Sequence, residues 1–277
     1  MLTVLEIKKE EPKSLADRVM SLVKPYSIET EIKKTKNIEV ANVKYTFRRG
    51  EIRFDKILNH CMGKSKTVLC SESVSLKNTP FRRFCGLEYK KIMMQNFLTD
   101  VLSKLYNESY DMNIVYFDST AENPLFVQQL LKFTSNLTVI SDMPRFYENE
   151  MERVADDCGA SVTVSNDIDA AGNFDILISP TVIDREIAAP SGSIVFTVSV
   201  PKAPVSGICI TDYHVHFPAE YQSILPEEID EDIFLAALYS LCGITSLADE
   251  IPFSCSNSYS IFTEQAMIRK FSSFSLR

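Results

Sequence analysis

This sequence predicts an α/β chain with a doubly wound, mostly parallel sheet and a smaller N-terminal α+β domain. Three observations carry that prediction. From Thr67 onward, short apolar runs recur, such as NIVYF (113–117), FDILIS (174–179) and SIVFTVSV (193–200). Strands this continuously apolar are buried on both faces, as a parallel sheet covered by helices requires. Several of these runs are separated by stretches whose apolar residues recur at helical spacing. The first 66 residues behave differently, alternating apolar and polar residues around one short helix.

The elements follow in order. LTVLEIKK alternates like a strand, and SLADRVMSLVK is a helix with Ser14 as its cap and Leu15, Val19, Met20 and Val23 at helical spacing. SIETEIKK alternates again. VKYTFRRGEIRFDKIL reads as a hairpin turning at Arg49 and Gly50 before a short helix. From Thr67, TVLCS is a strand and GLEYKKIMMQNFLTDVLSKLY a long helix whose Ile92, Met93, Phe97, Val101 and Leu105 stripe faces a core. NIVYF, a helix through 126–133, LTVIS (137–141), a helix through 146–158, SVTVS (161–165), FDILIS, SIVFTVSV and GICIT (207–211) complete the sheet. The acidic PEEIDED (226–232) reads as a solvated helix start, where carboxylates favour the positive end of the dipole. IFLAALYSLCG (233–243) is a buried helix ended by Gly243, and a last helix follows the Ser-rich FSCSNSYS. The domain division is 1–66 and 67–277, with the C-terminal helices packing back on the N-terminal part.

Composition narrows the function classes. The chain has 277 residues, 45% hydrophobic and 24% charged, so each of two domains can bury its own core. The start MLTVLEIKKEEPKS lacks the features of a signal peptide, and no apolar run approaches the ~18 residues of a membrane span. A cytoplasmic protein with no membrane partner is the expectation. The 7 cysteines stand singly, without a C-x-x-C pair, as small core residues do. Residues 1–66 carry a net charge of +6 and the rest −14. Complementary domain surfaces explain this asymmetry. A nucleic-acid patch is disfavoured because the basic residues are interleaved with acids.

Over residues 113–200 the run of elements resembles the Rossmann-type domain of amino-acid dehydrogenases, shikimate dehydrogenases and glutamyl-tRNA reductase. RFYENEMERVADDCGASVTVSND resembles the helix after the second strand, with Gly159 closing it. FDILISPTVI resembles the fourth strand, which in those families ends in a small-polar turn over the nicotinamide, and AAPSGSIVFTVSV resembles the loop before the fifth strand and that strand itself. The resemblance implies a Rossmann-like fold, and a dinucleotide held at the first strand-to-helix turn.

That turn departs from the family. YFDSTAENPLFVQQLL (116–131) contains no glycine, and none occurs in residues 87–158, which disfavours NAD(P) and leaves the cofactor unassigned. Asn123 followed by Pro124 reads as a helix cap and first-turn proline. Asp118 and Glu122 place carboxylates where the family offers amides to a pyrophosphate. Asp142, 24 residues after Asp118, stands near the family's ribose-binding acid; as a plainer alternative it caps the next helix.

Other constellations are weaker. His214 and His216 form an H-x-H pair, with Asp212 or Glu220 as a third ligand, but lack a motif-grade third donor, so no metal is assigned. No G-x-S-x-G elbow surrounds a serine, nothing local activates Cys70, and no lysine–aspartate dehydrogenase pair is placed by motif. Ligands in open α/β sheets bind at the carboxyl ends of strands, which makes Ser119, Thr120, Asp142, Thr181 and His214 the cleft candidates. The leading expectation is a non-catalytic ligand-binding or interaction module with a degenerate loop. Its rival is an NAD(P)-dependent oxidoreductase or other nucleotide-binding enzyme with an atypical phosphate loop, using Asp142 on the ribose and Thr181 near the nicotinamide. A small-molecule ligand and a homo-oligomer fit either.

Overall fold

Two units make up the chain, Met1–Gly86 with Phe217–Leu247 and Leu87–His216 with Ala248–Arg277. The computed structural model describes residues 1–11, 14–36, 38–61, 66–105, 112–121, 123–149, 151 and 161–274. Glu122, Cys158, Gly159 and the latter part of the 146–158 helix lie outside them.

In the first unit, β1 (Leu2–Lys9) runs parallel to β3 (Ile38–Phe47), which pairs antiparallel with β2 (Tyr26–Thr35). Helix α1 (Leu15–Val23) links β1 to β2. The hairpin therefore turns at Lys36, in the left-handed region at φ 44, and not at Arg49 and Gly50. Both edges of β3 are already taken, so residues 51–53 have no strand to join and lead straight into α2 (Phe54–His60). One face of β3 packs Val43 and Tyr45 against Leu5 and Ile57.

This unit reaches beyond residue 66 because the ladder does. β4 (Thr67–Val68) pairs with β5 (Arg82–Arg83), and Leu69 extends the sheet: Leu5 N–H donates to its carbonyl at 2.8 Å and its own N–H donates to Thr3 O at 3.0 Å. The boundary falls at Gly86, 20 residues later than the sequence reading places it. Helix α6 (Glu231–Cys242) belongs here too, packed on β1, capped by Asp230 and closed by Gly243 at φ 72.

The second unit begins with α3 (Leu87–Lys104). Its sheet holds β6 (Asn113–Phe117), β7 (Asn136–Ile140), β8 (Ser161–Ser165), β9 (Ile176–Ser179), β10 (Ile194–Thr197) and β11 (Ile208–Ile210), all parallel, in the spatial order β11-β10-β9-β6-β7-β8. Counted along the chain this is the 3-2-1-4-5-6 order of the Rossmann-type fold, whose switch point falls between β6 and β9.

Helices cover one face. α4 (Pro124–Leu130) brings Phe126 to within 6.1 Å of the Tyr116 ring, and α5, described over residues 144–149, brings Tyr147 to 6.4 Å. On the same face Phe196 meets Phe97 of α3 at 6.4 Å and Phe271 of α7 (Glu264–Ser272) at 6.0 Å. The opposite face is covered mainly by loops. Residues 180–193 and 198–207, the crossovers after β9 and β10, contain no α-helix; Ile183 and Ile187 pack on Val115, Leu177 and Val195 in their place. A small antiparallel sheet of β12 (Asp212–His214), β13 (Ser254–Ser256) and β14 (Ile261–Thr263) completes the unit. No helix among the described residues is long and apolar enough to cross a membrane.

Candidate functional site

The carboxyl ends of β6 and β9 flank the switch point, where this fold places its ligands. Asp118 follows β6 and is fully buried. Its Oδ1 accepts hydrogen bonds from Thr120 N–H, Thr120 Oγ1 and Ala121 N–H, each at 3.1 Å. Its Oδ2 accepts from the Tyr147 hydroxyl at 2.6 Å. Burial, and then this bond, push the Tyr147 phenol far above its usual range, so it stays protonated and donating. Ala121 adopts φ 55 to close the turn.

Two residues on, Asn123 caps α4, its Oδ1 accepting from Phe126 N–H at 3.2 Å, with Pro124 in the first turn. The loop thus supplies its own acceptors. The backbone N–H groups of Thr120 and Ala121 point at Asp118, and that of Phe126 at Asn123.

The remaining candidates divide. Ser119 Oγ and Thr181 Oγ1 come within 3.5 Å of each other across the switch point. Thr120 is drawn into the Asp118 turn. Asp142 stands just past β7 and pairs with Arg185 from the β9–β10 crossover, whose guanidinium also lies 5.9 Å from the Phe117 ring centre. It is Ser141 Oγ, next to Asp142, that accepts from Met143 N–H, at 3.1 Å, just before the 144–149 helix.

His214 does not join Ser119 and Thr181. It lies on β12, directly after β11, and β11 is two strands beyond β9, roughly 10 Å of sheet away. Its Nε2 sits 2.8 Å from Ser256 Oγ, while His216 stacks on Phe253 with ring centres 4.5 Å apart. Among the described residues no group of three or more His, Cys, Asp or Glu side chains is placed to hold a metal ion.

Four partners are absent from the sequence reading: Arg185, Tyr147, Ser256 and Lys90. Lys90 Nζ donates to Asp212 Oδ1 at 2.5 Å and Thr211 Oγ1 donates to Oδ2 at 2.7 Å. Burial would raise the Asp212 carboxyl, but Lys90 and Thr211 overcome it and hold the group below its usual value. Lys90 and Asp212 are 122 residues apart, so no local pattern announces them. A separate polar groove of about 480 Å³ between α3, α4 and residues 248–251 is lined by Asn96, Asp100, Ser103 and Gln129 among others, and shares none of the residues above.

No family model matches the chain, and no curated protein matches it. Among solved structures, the crystal structure of L-tryptophan dehydrogenase from Nostoc punctiforme is similar over 99% of this chain and 87% of that one, with 9% identity and a TM-score of 0.29. Those values bear on no activity, and the fold assignment rests on the strand order.

Proposed function

We propose that the six-stranded unit works as a ligand-binding or interaction module and not as a dehydrogenase. One observation carries this reading: the buried Asp118 carboxylate takes the Thr120 and Ala121 N–H donors of the first strand-to-helix turn, and the Asn123 side chain takes that of Phe126. A pyrophosphate arriving there would have to displace an internal anion and then meet its charge. Thermal unfolding with NADH, NADPH and inorganic pyrophosphate tests the idea. A ligand at 100 times its Kd stabilises by about 2.7 kcal/mol, a shift of several degrees, and none is expected.

The strand order favours a second reading, a nucleotide-binding oxidoreductase that grips its ligand away from the first turn. In it Asp142 leaves Arg185 to bind the ribose and Thr181 lies near the nicotinamide. This reading requires Asp142→Ala to weaken nucleotide binding by about 1–3 kcal/mol, the loss of a hydrogen bond to a charged group. Unchanged affinity in that variant removes it.

A further inference from the structure

Strand β8 reads SVTVS, the same in both directions. It is the last strand of the six-stranded sheet, paired on one side with β7 from Asn136↔Ser161 to Ile140↔Ser165. Among the described residues no strand pairs with its other side, and 162–164 hydrogen-bond to nothing beyond the β7 ladder. Thr163 is exposed and Val162 and Val164 are half-buried.

Open edges invite pairing, and proteins usually blunt them with charge, proline or a bulge. This chain does so elsewhere. β2, an edge of the first unit, carries Glu29, Glu31, Lys33 and Lys34. β8 carries no charge and no proline, and its β-branched residues suit a ladder.

We propose that β8 pairs antiparallel with β8 of a second copy of this chain about a two-fold axis at Thr163, joining two six-stranded sheets into one. The axis itself makes the contact isologous, and the palindrome sets like residue types opposite each other. In backbone register Thr163 pairs with its own counterpart, Val162 with Val164 and residue 161 with residue 165. A neutral strand meeting an identical neutral strand sets no like charges opposite each other, and Thr–Thr and β-branched pairs are favourable across strands. Each copy carries a net −8, so the two repel at long range and added salt strengthens the dimer.

Sedimentation equilibrium on the full chain tests this with Thr163→Lys, Thr163→Glu and their equimolar mixture. Wild type should form dimers with rising concentration and more readily in salt. Each variant alone sets like charges face to face and should weaken association about tenfold, while the mixture should recover a heterodimer. Thr163→Val keeps the neutral ladder and should dimerise like wild type. A misfolded variant would not be rescued by its opposite charge, so the mixture separates lost pairing from lost structure. A monomeric wild type, a dimer indifferent to both charges, or a mixture that stays monomeric would each overturn the proposal, the second by placing the contact on another surface.

Discussion

Tyr147 donates its hydroxyl to Asp118 at 2.6 Å, and both side chains are fully buried. The bond ties the 144–149 helix to the turn after β6 and gives the buried carboxylate a hydroxyl donor. A buried carboxylate deprived of a donor loses more than one bond's net worth, because its desolvation is no longer offset. Tyr147→Phe should therefore cost about 1.5–3 kcal/mol in urea unfolding, with the same m-value.

The turn also depends on Asn123. As the cap of α4 it satisfies a backbone donor, and caps of this kind contribute about 1 kcal/mol. Asn123→Ala should lower stability by that amount and Asn123→Gly by only a few tenths, measured by denaturant titration.

Asp142 and Arg185 are a different case. Their side chains are 47% and 37% exposed, so solvent screens the pair. A double-mutant cycle on the two should return a coupling below about 1 kcal/mol, shrinking further in salt.

Lys90 makes a prediction about acid. Its contact lowers the Asp212 carboxyl below the usual 3.8, so the pair stabilises the fold above the ordinary carboxylate range and that stability is lost as pH falls through the lowered value. Lys90→Met should flatten the loss of stability below pH 3.8, read from unfolding curves taken across that range.

Thiol chemistry separates the cysteines. Burial pushes Cys209 up to about 11 and Cys255 up to about 12, while Cys85 is exposed. Thiolates are the reactive form, so in the folded protein at neutral pH Cys85 should label with a disulfide reagent well before Cys209 and Cys255, which should wait for unfolding. Mass mapping of the first-labelled site checks it.

Much of the sheet was legible because burial on both faces leaves an unmistakable run. ILIS of β9 is buried at every residue, and the strands stand within a few residues of their apolar segments. The Asn123 cap was legible because a cap is a local chemistry of four residues. What the sequence hides is pairing at a distance: Asp118 with Tyr147 across 29 residues, Asp142 with Arg185 across 43 and Lys90 with Asp212 across 122. Arg49 and Gly50 look like a hairpin turn in sequence, and nothing local reveals that both edges of β3 are already occupied. The Leu69 bridge to β1 is a tertiary contact, so nothing local at residue 66 announces that the first unit's ladder continues.

The proposed binding module depends on the closed turn at Asp118. Its most direct test is calorimetric titration of the full chain with NADPH and with NADH, at concentrations that reveal a Kd up to about 1 mM, roughly −4 kcal/mol. No saturable heat is expected from either. Saturable binding that weakens in Asp142→Ala would contradict the proposal, and would make the glycine-free turn a working variant of the dinucleotide site.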